Sequence, residues 1–396
     1  MNPATQRWRQ LALLAAAELL GMSVWFAGTA VAPALRVTLS LTSSQSAWLT
    51  SAVQLGFVGG TLIAAILNLS DIIPLRWYVA GAAVLAAGAN AALVPADSFT
   101  VAVATRALTG MALAGVYPPA MKMAATWFRS GRGLAIGAVV GALTMGKATP
   151  YLLEGGSHLP LRAVVLVPSA AALVAALLIA LWYRDGPYAF PARPFSWGLA
   201  GEVASQPVLR EITGGYLGHM WELYAFWAWI PAFLAASFET HGGSRAIGAW
   251  AYLCVAIGAA GCIWGGITAD RIGRPRVVRV AMLVSGICCL ASAVVFGGPR
   301  WAVLPVCLVW GIAVIADSAQ FSAMVTEHAP PHAVGTALTL QTSLGFLLTA
   351  ASIQLVPVIG NAVGWRWALV VLSLGPAAGI ASVRRLQRSQ DRPQVA

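Results

Sequence analysis

Charge is scarce in this chain. Asp, Glu, Lys and Arg make up 9% of its 396 residues, against about 25% in soluble domains, and mean hydropathy is +0.77. That balance excludes an ordinary soluble fold and marks a membrane protein. Cysteine is also rare, and Cys254, Cys262, Cys288, Cys289 and Cys307 all lie in apolar runs of the second half without metal-ligand spacing. They read as packing residues, so neither disulfides nor a metal site are expected. No H-E-x-x-H, G-x-S-x-G or comparable His/Cys spacing occurs. Without a nucleophile-base pair or a catalytic metal, the chain is expected not to be an enzyme and to need no cofactor.

Long apolar runs are what the chain has. A bilayer core of about 30 Å takes roughly 20 mainly apolar residues per helical span, and runs of that order lie near 10–35, 46–68, 76–95, 99–126, 132–155, 160–183, 209–236, 244–269, 277–297, 301–325, 333–359 and 363–383. The expected fold class is an all-α membrane protein of twelve transmembrane helices. Arg7 and Arg9 precede the first run as they would in a signal peptide, but that run is long, contains Glu18 and leads straight into a second span. It is expected to remain as the first helix.

Acidic residues number 13 against 24 basic ones, for a net charge of +11. With the N-terminus in the cytoplasm, 16 of the 24 fall on cytoplasmic segments: Arg7, Arg9, Arg76, Arg129, Arg132, Arg184, Arg193, Arg210, Arg271, Arg274, Arg276, Arg279, Arg384, Arg385, Arg388 and Arg392. Arg36, Arg162, Arg245, Arg300 and Arg366 fall on the opposite face, and Arg106, Lys122 and Lys147 lie within spans. This is the positive-inside pattern with both termini cytoplasmic. The net charge therefore reflects topology and calls for no nucleic-acid partner.

The longest polar stretch, 184–211, is rich in Pro, Gly and charge and suits a cytoplasmic connection. It divides the chain into residues 1–183, a linker at 184–208, and residues 209–396. The halves echo each other. Glu18, Leu19 and Trp25 match Glu222, Leu223 and Trp229 as E-L-x5-W, and Asp71 in LNLSDIIPLR matches Asp270 in GGITADRIGRPR. Parallel repeats of this kind mark secondary transporters.

The segment GGITADRIGRPR (265–276) resembles the G-x3-D-R-x-G-R-R loop of the major facilitator superfamily, and RALTGMALAG (106–115) resembles its fourth-span arginine motif. The first-half loop keeps Asp71 and Arg76 but lacks the glycine and the arginine cluster. The resemblance covers the whole chain and implies two pseudo-symmetric six-helix bundles. Spans 1, 4, 7 and 10 would line a central cavity, spans 2, 5, 8 and 11 would form the seam, and the others would stand outside. It implies transport of a small-molecule solute with protons across a bacterial inner membrane, by a monomer. Asp71, Arg76, Asp270, Arg271 and Arg274 are then expected gate residues holding the bundles together.

The charges at membrane depth fit that arrangement. Glu18 lies in the first span, Arg106 and Lys122 in the fourth, Lys147 in the fifth, His219 and Glu222 in the seventh and Asp317 in the tenth. Such charges face cavities or partners, since each costs roughly 2.5–3.5 kcal/mol on insertion scales. Lys122, one turn from a span end, is expected to snorkel. Arg106 fits a structural or a proton-linked role. Burial favours the neutral form of a carboxyl, so Glu18, Glu222 and Asp317 are candidates for taking up and releasing a proton, with His219 one turn from Glu222 and able to touch it. Lys147, in ALTMGKATPYLL, lies about 22 Å into its span at 1.5 Å per residue. It needs an anionic partner, expected to be Glu18, Glu222, Asp317 or a solute. Because the first half is net positive at membrane depth and the second net negative, the bundles are expected to close by ion pairing.

Trp25, Phe26, Tyr117, Trp221, Tyr224, Trp227 and Trp229 are candidates for an apolar cavity wall, and Pro118, Pro119, Pro150 and Pro231 for kinks. Gly56/Gly60, Gly137/Gly141 and Gly261/Gly265 form G-x3-G steps that suit either a sliding seam or packing within a bundle. GHMWELYAFWAWIPAFL (218–234) is similar to a bacterial subgroup of cyanate-, nitrate- or organic-anion-type carriers. Nitrate carriers of the superfamily use paired arginines in spans 2 and 8, absent here, so nitrate itself is disfavoured. The expected solute is small and anionic or zwitterionic. The alternative is a drug/proton antiporter, favoured by the Arg106 motif but weakened because its fifth-span G-P-x-x-G-G appears only as GKATPYLLEGG. A receptor that has lost transport is a further possibility.

Overall fold

The computed structural model describes residues 3–128, 131–156, 159–188, 196–240, 242–243 and 246–390. Arg129, Arg193, Arg245 and Arg392, counted above toward orientation, lie outside the described residues. In chain order the helices are α1 (Pro3–Met22), α2 (Ala27–Ala30), α3 (Ala32–Thr38), α4 (Ser43–Ile66), α5 (Leu69–Ile72), α6 (Leu75–Ala91), α7 (Phe99–Leu113), α8 (Tyr117–Ala125), α9 (Arg132–Gly156) and α10 (Leu161–Trp182). After α11 (Trp197–Ser205) come α12 (Pro207–Glu239), α13 (Ile247–Ala256), α14 (Gly258–Ile272), α15 (Arg274–Val295), α16 (Arg300–Ala316), α17 (Ser318–His328), α18 (Val334–Val363), α19 (Trp365–Ala368) and α20 (Leu374–Gln390). Among the described residues, nine helical segments are long and apolar enough to cross a membrane. The segments α1, α6 and α12 occupy the places of the other three expected spans.

Apolar side chains with no protein partner identify the lipid face. Leu173, Leu177 and Leu181 of α10, and Leu283, Ile287, Leu290 and Val294 of α15, are exposed at helical spacing. Such stripes would promote aggregation in water and are at home in acyl chains.

Several spans that the sequence suggests are continuous are broken. The first is interrupted at 23–26 and the fourth at 114–116, where the backbone tightens to i to i−3 bonds such as Trp25 N to Met22 O and Val116 N to Leu113 O. The eighth breaks at Ile257 and the tenth at Asp317. Pro118 and Pro119 open α8, where missing N–H groups are harmless. By contrast, α9 and α12 run on through Pro150 and Pro231. The stretch read as a linker contains a helix, α11, which packs against α12 and α18. Its sequence WGLAGEVAS carries no proline, unlike the residues just before it.

Within the first half, α4 packs on α7 and α6 on α10. Within the second, α12 packs on α18 and α20, and α15 on α16. Across the midpoint of the chain, α4 meets α18, and α9 meets α13 and α14.

The glycine steps divide accordingly. A Cβ at Gly56 would strike the Ala107 carbonyl, one at Gly60 that of Met111, and one at Gly110 that of Val53, so α4 and α7 touch backbone to backbone. In the second half Gly261, Gly265 and Gly311 meet Ile312, Ala316 and Cys254 in the same way, each about 200 residues on. The E-L-x5-W echo thus has a packing counterpart. Of the three steps only Gly137/Gly141 faces the other half, where a Cβ would lie 3.2 Å from Cys262 O and 3.3 Å from Ala259 Cβ respectively. The other two steps are packing within a half, not a sliding seam. Gly110→Ala and Gly311→Ala are expected to cost about 1–3 kcal/mol each, read as lower thermal unfolding temperatures in detergent, whereas Gly137→Ala should cost less.

Candidate functional site

Lys147 is fully buried in α9. The preceding residue, Gly146, leaves no room for a Cβ against the Leu19 carbonyl of α1. Glycine there lets α9 rest on α1 and brings the lysine beside the break at 23–26. Its ammonium stands 3.6 Å from the centroid of the Trp25 ring, 4.6 Å from that of Tyr224 and 5.6 Å from that of Trp227, and donates to the Tyr224 hydroxyl at 2.5 Å. Cation–π contacts contribute about 0.5–2 kcal/mol. Further rings close the enclosure: Trp25 lies 5.2 Å from Phe57, Phe57 4.4 Å from Phe346, and Phe26 5.8 Å from Tyr151. The chamber therefore draws on α4, α9, α12, α18 and the first-span break, with both halves contributing.

Among the described residues no carboxylate is in ion-pair contact with Lys147, contrary to expectation: Glu18 is coupled to it electrostatically but without contact, and Glu222 and Asp317 turn elsewhere. Glu222 of α12 turns toward α15 and α16, where it accepts from Ser285 Oγ at 2.9 Å, Cys289 Sγ at 3.2 Å and Trp310 Nε1 at 2.5 Å. His219 does not engage Glu222. Its Nδ1 lies 2.8 Å from Asp317 Oδ1, both side chains being buried. The α16–α17 rod supplies both groups, since Trp310 and Asp317 are two turns apart and meet Glu222 and His219 separately.

Glu18 is 1% exposed and neither oxygen has a hydrogen-bond partner. It borders a void of about 10 Å³ walled by Val79 and Ala83 of α6, Val116 and Ala120 at α8, and Ala175 and Ile179 of α10. That is room for about one water. Four of the five ion pairs described join groups of the same half and the fifth, His332–Glu202, joins the second half to the 184–208 stretch, so among the described residues closure by pairing between halves at membrane depth is not seen.

Arg106 of α7 serves the chamber from behind. It donates to Asn90 Oδ1 at 2.8 Å, Val24 O at 3.3 Å and Leu49 O at 3.4 Å, and to the Trp25 carbonyl. Asn90 is itself fixed by Val165 O and Ser169 Oγ. The guanidinium thus takes up carbonyls released by the helix break and holds Trp25 over Lys147. Gly28 leaves it space that a Cβ would occupy. Arg106→Ala is expected to cost about 3 kcal/mol or more, because several buried acceptors lose their donor at once. Arg106→Lys should recover only part, since one ammonium cannot span the fan of acceptors. Thermal unfolding of both variants in detergent measures this, and an unchanged transition for Arg106→Ala would refute it.

A family model described as Major Facilitator Superfamily matches residues 13–353. The chain belongs to the Major Facilitator Superfamily. It is accordingly a multi-pass membrane protein of a transporter family, not an enzyme. Crystal structures of a bacterial homolog to the human lysosomal transporter Spinster, inward-facing and either unoccupied or occupied, share its fold. Their TM-scores are 0.76 and 0.71 at 16% identity, over 98% of this chain and 99% of theirs. An uncharacterized MFS-type transporter of Mycobacterium tuberculosis is 28% identical over 261 residues, 62% of this chain. The match spans about half, 55%, of that relative's length.

The superfamily-type loop at the end of α14 turns at Gly273, where φ is +89°. Asp270 is exposed and lies against Gly133 in the first turn of α9, its Oδ2 being 3.6 Å from where a Cβ there would sit. It reaches the other half. Arg271 is exposed. Arg274 donates to Glu327 and Gln320 of α17, both at 2.8 Å, and so braces its own half where a bond across the halves was expected. Asp71 pairs with Lys122 at 2.5 Å. The lysine expected to snorkel therefore ties α8 to α5. Arg76 stacks on Trp77, 4.7 Å from its centroid.

The expected aromatic wall also divides. Trp25, Phe26, Tyr224 and Trp227 surround Lys147, while Tyr117 is half-buried at the start of α8. Trp229 donates to Ile353 O at 2.8 Å and packs on Trp365, and Trp221 donates to Val371 O at 3.2 Å. Both brace the second half. Sequence reasoning missed Phe57, Phe346, Tyr151 and Asn90. Phe57 and Phe346 are apolar residues in apolar spans and carry no signal. Tyr151 is four residues from Lys147, on the same helix face, and Asn90 is a buried amide in an apolar span. Those two were findable.

Proposed function

We propose that this protein is a proton-coupled secondary transporter that carries a small anionic or zwitterionic solute by alternating access. It would sit in a bacterial inner membrane as a monomer with both termini cytoplasmic. Residues 1–183 and 209–396 would act as the two rocking bodies, joined through 184–208. One observation carries the reading: Lys147 is buried at membrane depth between the halves with a phenol and ring faces around it and, among the described residues, no carboxylate in ion-pair contact. An uncompensated charge at that depth costs roughly 2.5–3.5 kcal/mol, and a solute anion would supply the missing partner in each cycle.

The test is proton movement in proteoliposomes loaded with a pH-sensitive dye and challenged with small anions, amino acids and lipophilic cations. Lumenal acidification with anions supports symport. Proton release from acid-loaded vesicles with lipophilic cations alone would select the drug/proton antiporter instead, a reading to which the ring-lined chamber gives some support.

A further inference from the structure

We infer that the solute is a monocarboxylate with an aromatic or similarly bulky apolar body, rather than an inorganic anion or a zwitterion. This rests on the anionic reading above. The chamber offers a single ammonium, since Arg106 is consumed by backbone carbonyls and Asn90, and Lys122 by Asp71. One cation calls for one negative charge.

Hydrogen-bonding capacity around that cation is lopsided. Lys147 has three N–H donors and a bond to Tyr224. The indole N–H groups of Trp25 and Trp227, on two of the rings it faces, are buried without an acceptor. Unmet donors favour a group that only accepts, as a carboxylate does.

The same chamber is poorly furnished for a second, positive group on the solute. Glu222 is held by three donors on α15 and α16 and Asp317 is paired with His219; Glu18 is coupled electrostatically to Lys147 but lines the separate void among α1, α6, α8 and α10, not the rings. The nearest ring faces already carry the ammonium of Lys147. An amino-acid solute would bury its own ammonium without a partner, at a cost that a simple carboxylate avoids. The walls are Trp25, Phe26, Phe57, Tyr224, Trp227 and Phe346, all nearly or fully buried. They would leave most acceptors of a small inorganic anion unmet, but they suit an apolar body.

Four probes isolate these features on the purified full chain: 3-phenylpropionate, propionate (no ring), phenylalanine (an added ammonium) and 3-phenylpropanol (no charge), with nitrate and tetraphenylphosphonium run beside them as an inorganic anion and a lipophilic cation. Binding is read by thermal shift in detergent, and transport by counterflow in proteoliposomes. The expected result is 3-phenylpropionate binding about tenfold or more tighter than each of the other three, with Trp25→Leu narrowing its advantage over propionate. If propionate or nitrate matches it, or phenylalanine does, the inference is overturned while carriage of an anionic or zwitterionic solute stands. If no carboxylate binds but tetraphenylphosphonium does, the anionic reading fails as well. Absence of a shift with 3-phenylpropionate, whatever the others do, also overturns the inference.

Discussion

Lys147→Met is expected to abolish most transport while leaving the folded protein as stable as the parent, or more so. The two halves of that expectation come from the same geometry. A charge-assisted hydrogen bond to a solute carboxylate is worth about 1.5–3 kcal/mol, so its loss should lower uptake on the order of 10- to 150-fold. In the resting protein the ammonium has Tyr224 and three ring faces but, among the described residues, no carboxylate in contact. Methionine has a similar length and sits well among aromatic rings. Removing an unpaired buried charge relieves desolvation, and stability should stay level or rise by about 1–3 kcal/mol. A lysine that merely held the fold would give the opposite pair: normal uptake by the protein that survives, and a lower unfolding temperature. Initial uptake rates per reconstituted protein, set beside thermal unfolding, separate the two.

How much of this was legible beforehand follows from what each feature leaves in sequence. The spans were legible because about 20 apolar residues are needed to cross a bilayer, and nothing else produces so many such runs. The breaks at 23–26 and 114–116 were not, because tight turns among apolar residues cost little composition, and only Pro118 and Pro119 hinted at one of them. Charge position was legible but direction was not. A helix apolar on all sides has no polar stripe to fix its rotation, so Glu222 could be placed in the seventh span but not aimed at Ser285, Cys289 and Trp310. Glycine spacing announced close approach without naming the partner, which is how two within-half contacts shared a signature with the one between α9 and α14.

Glu18→Gln is expected to uncouple solute movement from the proton gradient, whereas Glu222→Gln is expected to leave coupling intact. The two residues occupy equivalent places in the repeat, yet their surroundings differ in kind. Around Glu222, Trp310 and Cys289 donate to one oxygen and Ser285 to the other. An amide can keep the first two bonds, and the Ser285 hydroxyl, already within 3.2 Å of Met282 O, can turn to that carbonyl and accept from the new NH₂. Glu222 thus acts as a fixed acceptor, and Gln should cost less than about 1 kcal/mol where Leu, leaving three donors unmet, should cost about 1–3 kcal/mol.

Around Glu18 no group donates a hydrogen bond to either oxygen. Apolar side chains of α6, α8 and α10 line its void, and Lys147 of α9 and Tyr117 of α8 are coupled to it electrostatically. A carboxyl so placed has no static bond to defend and is free to gain a proton when its void connects to one face and lose it at the other. With Gln there, a pH gradient should no longer drive accumulation above the external concentration, while exchange of labelled for unlabelled solute continues. Accumulation and exchange measured in the same vesicles decide the matter. If accumulation survives in Glu18→Gln, coupling lies elsewhere, and the buried His219–Asp317 pair is the next to test, with Asp317→Asn then expected to uncouple.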